Sequence, residues 1–206
     1  MEQFLAVAVA HFLALLIPGV DFLLIARTAM NGGWRNASGV CLGIALANGL
    51  FIAAAFSGLA FVSDPLLLGG VRVAGGGFLV FVGIAFLRSP ARVELERGLR
   101  LERTAWARNF GLGLASGLLN PKNGLFYISL AAAVATAPPA VLLFYGVWMF
   151  AVVLAWDVFV AFALGSGRVL ERMRRILPWV SKLAGAFLVL FGAGMVLAPF
   201  LGAGFG

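Results

Sequence analysis

Long apolar stretches, punctuated by single charges and prolines, set the pattern of this chain. Gln3–Val20, Asn36–Ser63, Asn123–Trp156 and Leu183–Gly206 contain no Asp, Glu, Lys or Arg. A helix needs about 20 apolar residues to cross a hydrocarbon core of about 30 Å. The Asn123–Trp156 run holds parts of two spans, and Pro138-Pro139 marks a turn inside it. Reading the runs against their breakers predicts an all-α, polytopic membrane protein with six transmembrane helices. They are Phe4–Met30, Ser38–Val62, Leu66–Leu87, Phe110–Ala135, Val141–Leu164 and Trp179–Phe200. The predicted connections are Asn31–Ala37, Ser63-Asp64-Pro65, Arg88–Asn109, Thr136–Ala140 and Gly165–Pro178.

Composition turns this pattern into a class. Of 206 residues, 63% are hydrophobic and 11% charged. A soluble domain has roughly 45–50% apolar residues, glycine included, and about 25% charged ones. The chain therefore is not an ordinary soluble enzyme, a disordered protein or a coiled coil. The start, Met1-Glu2-Gln3, lacks the basic region of a cleavable signal peptide and reads as mature sequence. Cys41, the lone cysteine, lies in an apolar run and reads as a small packing residue.

Charge adds a direction. The first connection holds Arg35, with Arg27 at the preceding helix end. Arg88, Arg92, Arg97, Arg100, Arg103 and Arg108 occupy the third. Arg168, Arg172, Arg174, Arg175 and Lys182 lie on or beside the fifth. The second and fourth connections carry no Lys or Arg. The positive-inside rule places the odd connections in the cytoplasm and both termini outside the cytoplasmic membrane. The net charge of +7 is thus a topology signal and a set of contacts for membrane lipids, not a nucleic-acid surface. Arg92–Arg103, with Glu94, Glu96 and Glu102 interleaved, reads as a solvated linker.

The chain also repeats itself. Gly76-Gly77-Phe78-Leu79-Val80-Phe81-Val82-Gly83 matches Gly185-Ala186-Phe187-Leu188-Val189-Leu190-Phe191-Gly192 at an offset of 109, which also relates Asn48 to Asp157. Leu15-Leu16-Ile17-Pro18 matches Leu118-Leu119-Asn120-Pro121 at an offset of 103. A three-helix unit is odd, so its second copy enters the membrane from the other side. One transporter domain over 1–206 follows, an inverted 3+3 repeat. Repeat 1 is 1–90, repeat 2 is 108–206, and 88–109 is the cytoplasmic connection.

Both repeats carry a break at the corresponding place, Pro18-Gly19 and Pro121-Lys122. Proline removes a donor and clashes one turn back, so the first and fourth helices are expected to break at Pro18 and Pro121. The half-helices that follow begin with free N–H groups near the bilayer centre, able to hold a carboxylate. Asn120 is placed to cap one of them. Asp21, Lys122 and Asp157 put charge inside the membrane, where each costs at least about 2.5–3.5 kcal/mol and marks a functional site. Asp21 and Lys122 are expected to face each other across the repeat axis, with Asp157 and Asn48 flanking the same cavity. An aspartate there can exchange a proton for a substrate ammonium. His11 reads as an interior residue, Arg72 as a snorkelling one. Gly39-x-x-x-Gly43 and Gly113-x-x-x-Gly117 fit close packing, within the chain or in a homodimer. Trp34, Trp106 and Trp179 mark interfaces.

These residues carry a resemblance. Leu16-Ile17-Pro18-Gly19-Val20-Asp21-Phe22-Leu23-Leu24 resembles the Pro-Gly-Pro-Asp-Phe-type signature of the LysE/RhtB family of amino-acid exporters. Leu119-Asn120-Pro121-Lys122, followed by Leu125-Phe126-Tyr127, is similar to its second signature. The chain departs from the family at Val20, where a second proline is usual, at Asn123, where a small residue is usual, and at Ala131–Ala135. The resemblance implies proton-driven export of amino acids or close derivatives. The expected site is Pro18, Gly19, Asp21, Asn48, Asn120, Pro121, Lys122, Asn123 and Asp157. The cargo carboxylate is expected near Gly19 and Asn123. No cofactor, metal or catalytic constellation is expected. The rival readings are export of a metal ion or other small solute, and a non-transporting, lipid-interacting membrane assembly.

Overall fold

The computed structural model describes residues 2–60, 64–88, 105–164 and 167–201. These residues form eight helices and no strand. They are α1 (Glu2–Leu15), α2 (Val20–Gly32), α3 (Trp34–Ala60), α4 (Pro65–Arg88), α5 (Trp106–Leu118), α6 (Pro121–Ala133), α7 (Pro139–Leu164) and α8 (Gly167–Leu201). Four of them contain stretches long and apolar enough to cross a membrane. The pair α1 and α2, bent by 53°, makes a fifth if taken as one span. Six were expected. The difference lies at α5 and α6, two helices of 13 residues each.

Proline and glycine chemistry sets the helix ends. α1 stops at Leu15 and α2 resumes at Val20, because Pro18 cannot continue the helix and disfavours helical geometry in Ile17. Asn120 is extended, at φ −86° and ψ 100°, as a residue before proline should be, and Pro121 opens α6. Proline also opens α4 and α7. Asp64 caps α4, its Oδ1 accepting from Leu66 N at 2.8 Å.

Some boundaries move. The first connection shrinks to Gly33, whose φ of 79° is the left-handed turn that glycine adopts freely. Residues 167–178, expected in a connection, belong to α8. Helix α5 starts at Trp106 rather than Phe110. The rest of the 88–109 connection, including Arg92–Arg103, lies outside the described residues.

Glycines bring two helix pairs close. A Cβ at Gly43 would strike Phe110 O, and one at Gly113 would strike Val40 O. Gly39 lies against Trp106 and Asn109, Gly117 against Ala47. Rising numbers meet rising numbers, so α3 and α5 run parallel. Both Gly-x-x-x-Gly faces are therefore used within the chain. Trp106 Nε1 donates to Ser38 Oγ at 3.0 Å and Asn109 Nδ2 to Asn36 O at 3.2 Å, closing the same end. The matched Gly-rich blocks of α4 and α8 also meet. Cβ atoms at Gly76 and Gly192 would strike each other's carbonyls, and so would those at Gly83 and Gly185. These helices run antiparallel.

The core has two parts. Val7, Ile52, Leu79, Leu130, Met149 and Leu188 lie in one, and Ile25, Val40, Ile44, Val160 and Leu164 in the other. Along α7, residues 142–149 belong to the first and 160–164 to the second. Asp157 falls between them.

Candidate functional site

A cavity of about 70 Å³ opens at that level, between the two chain breaks. Gly19, Asp21, Asn48, Asn120, Lys122, Asn123 and Asp157 all line it, whereas Pro18 and Pro121 do not. Pro18 lies between α1 and α2 and Pro121 opens α6, and it is their neighbours that line the hollow. The volume is small: a water takes about 30 Å³, and drug-sized ligands fill roughly 300–1,000 Å³. A larger hollow of about 470 Å³ lies between α3 and α7, lined by Ile52, Phe56, Gly146 and Phe150. Its lining is apolar apart from Ser57, so it has no charge with which to orient a zwitterion.

Asp21 sits in the first turn of α2, where the helix end favours an anion. Its Oδ1 accepts from Ser116 Oγ at 2.6 Å and its Oδ2 from Asn123 Nδ2 at 3.0 Å. Ser116 precedes the break between α5 and α6, and Asn123 follows it. One carboxylate of the first half of the chain thus holds both sides of the break in the second half.

Lys122 faces the same cavity but makes no ion pair with Asp21 among the described residues. Its Nζ lies 5.1 Å from the centre of the Phe86 ring, a cation–π contact. It is also the atom nearest to where a Gly19 Cβ would stand, at 3.9 Å. The expected confrontation across the repeat axis is therefore a shared cavity rather than a bond. The Ser116 hydroxyl and the Asn123 carboxamide satisfy Asp21 instead, as donors that need less reach.

The two helix starts differ. Asn120 Oδ1 accepts from Lys122 N at 3.2 Å, so the side chain caps α6 as its place before Pro121 predicts. Asn123 N bonds Asn120 O at 3.0 Å. Gly19 has no side chain to cap α2 and is extended, at φ −122° and ψ −167°. The first N–H groups of α2 therefore have no side-chain cap. Of the two expected carboxylate positions, Gly19 is open, and the Asn123 side chain is committed to Asp21.

Asp157 is buried on α7, 7% exposed, and its Oδ2 has no hydrogen-bond partner. Cys41 Sγ donates to its main-chain oxygen at 3.3 Å. Asn48, also buried, gives its amide to Ile44 O at 2.9 Å. His11 is fully buried outside the cavity lining. Its Nε2 lies 3.3 Å from the hydroxyl oxygen of Tyr127, which does line the cavity. Arg72 does not snorkel: Nε donates to Ala132 O at 3.1 Å, where a cation suits the C-terminal end of α6. Among the described residues, no three His, Cys, Asp or Glu side chains gather as a metal site.

Sequence reasoning missed Ser116, Phe86 and Trp156 at this site. Ser116 lies one turn before the second break, and that spacing was the available signal.

Comparison with known proteins gives the same direction. The family model described as LysE type translocator matches residues 12–198. A threonine efflux protein of Escherichia coli strain K12 is 26% identical over 201 residues, covering 95% of this chain and 98% of that protein. The threonine efflux protein of Salmonella typhimurium is 25% identical over 204 residues, covering 96% and 99%. An uncharacterized membrane protein of Haemophilus influenzae is 29% identical over 131 residues, covering 61% and 62%. No solved structure matches the chain.

Proposed function

Because the chain belongs to the LysE type translocator family, we propose that this multi-pass membrane protein exports amino acids or close derivatives from the cytoplasm. In this reading it is a secondary active transporter of the cytoplasmic membrane, coupled to proton entry and working by alternating access. One observation carries the reading: Asp21, Lys122 and Asp157 line a single cavity between the two helix breaks.

The cavity has a place for each end of a zwitterion. The cargo carboxylate sits beside Gly19, against the open N–H groups of α2 and near Lys122 Nζ. The cargo ammonium, or a proton in its stead, is taken by Asp21 or Asp157, with Asn48 alongside. Asn120 and Asn123 shape the facing wall. The threonine efflux relatives support an amino acid as cargo. A metal ion is disfavoured because Lys122 brings a positive charge to the same hollow.

The small cavity has to widen to admit cargo. The interruptions at Pro18-Gly19 and Asn120-Pro121 are the natural hinges, since extended residues join the half-helices there; at the second, a tilt has to release the bonds from Ser116 and Asn123 to Asp21. Counting α5 and α6 together as a span gives six. The two halves, 1–90 and 108–206, are then an inverted repeat in one transporter domain, with the 88–109 connection in the cytoplasm and both termini outside. The antiparallel contact of the matched α4 and α8 blocks supports that arrangement.

Thermal unfolding of the purified protein with a panel of amino acids tests the site. A ligand at 100 times its Kd stabilises the native state by about 2.7 kcal/mol. The melting temperature is expected to rise with at least one amino acid, threonine first. Gly19→Leu, which fills the space beside Lys122 on backbone that any residue can adopt, is expected to abolish that rise. A panel without effect on the wild type contradicts the reading.

A further inference from the structure

We propose that Asp157, and not Asp21, carries the proton that this exporter exchanges for its cargo. The inference rests on the exporter reading above and assigns its coupling residue.

The two carboxylates share a cavity but not an environment. Both oxygens of Asp21 are occupied, by Ser116 Oγ at 2.6 Å and Asn123 Nδ2 at 3.0 Å. Its place in the first turn of α2 adds the favourable end of a helix dipole. Every one of these contacts suits a fixed anion. Asp157 has none of them. It lies inside α7, beyond its first and last turns, and its buried Oδ2 accepts nothing. A buried charge without partners neutralises itself.

Charge balance leads to the same residue. Among the charged side chains lining the cavity, Asp21 and Lys122 offset one another, and Asp157 is left over. One proton balances it, and so does one cargo ammonium. The two cannot occupy the same carboxylate together, which makes the exchange one for one. Among the described residues, the charged and titratable groups around Asp157 are otherwise engaged. Asp21 of α2 is a like charge. Cys41 of α3 bonds its main chain. Lys122 of α6 rests on Phe86, and Tyr127 of α6 is paired with His11 of α1. On α8, Arg175 and Lys182 are exposed.

The step balances without any redox partner. With the cavity facing outward, a proton from external water bonds to an Asp157 carboxylate oxygen as the cargo ammonium leaves. With the cavity facing inward, that O–H bond breaks, the proton passes to cytoplasmic water, and a new ammonium takes its place.

Infrared difference spectroscopy reads the proton directly. The purified, cargo-free protein at neutral pH is expected to show a protonated-carboxyl C=O band. The band should be absent from Asp157→Asn and present in Asp21→Asn. Asp157→Glu, which keeps the group if Asp157→Asn folds poorly, should show it shifted. Adding threonine at saturation should remove the band and release one proton per cargo bound. A wild type without the band, or a band that Asp21→Asn removes, overturns the proposal, as does a band that bound cargo leaves unchanged. If no amino acid binds the wild type, the amino-acid reading falls, and the cargo-free band still decides which carboxylate holds the proton.

Discussion

Ser116 and Asn123 reach Asp21 from opposite sides of one chain break, so a single carboxylate ties α2 to both α5 and α6. Ser116→Ala leaves Oδ1 without its donor. An unsatisfied buried acceptor costs roughly 1–3 kcal/mol, more when charged. Ser116→Ala is therefore expected to lower the melting temperature in detergent and to weaken cargo binding. An unchanged melting temperature would show that Asp21 finds other support. The tyrosine behind His11 gives a second test. Tyr127→Phe removes the neighbour of Nε2, and Nδ1 already has none. A fully buried imidazole would then lack any partner. The expected loss is again roughly 1–3 kcal/mol, read as earlier thermal unfolding, and equal stability would contradict the pairing.

Much of the site was legible at this scale, for a simple reason. A charge in an apolar run is conspicuous, and Asp21, Lys122 and Asp157 all came to one cavity. The pairing was not legible. Sequence spacing fixes where a side chain starts, not which of several neighbours it reaches. Lys122 thus went to Phe86, and Asp21 to a serine that looks like any small residue of a membrane helix. Arg72 likewise turns to a carbonyl at the end of α6, a partner that its spacing along the chain does not name.

Glycines do the corresponding work between elements. Without Cβ atoms at 39, 43, 113 and 117, the α3 and α5 backbones come into contact. Gly43→Ala or Gly113→Ala forces a methyl group onto a main-chain carbonyl of the partner helix. Overpacking of this kind costs typically 1–3 kcal/mol, because backbone cannot rotate aside. Gly111→Ala on the same helix meets nothing within 4 Å. It is expected to leave stability unchanged or raise it by about 0.5–1 kcal/mol. Thermal unfolding of the three variants separates these outcomes. Equal losses at 43, 113 and 111 would mean that close approach is not what these glycines provide. The Gly-x-x-x-Gly pattern announced close packing, but a spacing of four names no partner, and within-chain contact emerges only in three dimensions. Helix ends at prolines were readable. The single-residue turn at Gly33 was not, because its neighbours Asn31, Gly32, Trp34 and Arg35 look like a loop and are helical.

For the whole molecule, direction is open to a direct check. Cys41, the only cysteine, is buried, so the wild-type chain is a quiet background for thiol labelling. Asp64, just before α4, and Arg108, in the first turn of α5, are both exposed. In intact cells, a membrane-impermeant maleimide is expected to label Asp64→Cys and to spare Arg108→Cys until the cells are opened. The reverse pattern would turn the molecule over. The sorting of lysine and arginine along the sequence gives the expected direction, and the two Gly-rich blocks that match in the sequence meet between α4 and α8. The number of spans was harder to read: a pair of 13-residue helices around a capped proline fits neither a straight span nor a loop.

Residues of both halves of the chain line one cavity, and the proposed function places the exported amino acid there. Counterflow in proteoliposomes tests this most directly. Vesicles loaded with an unlabelled amino acid should take up the same labelled amino acid, threonine foremost, when they contain the wild-type protein. Those with Asp21→Asn, reconstituted to the same level, should not. No counterflow across a broad amino-acid panel, or full counterflow by Asp21→Asn, would contradict it.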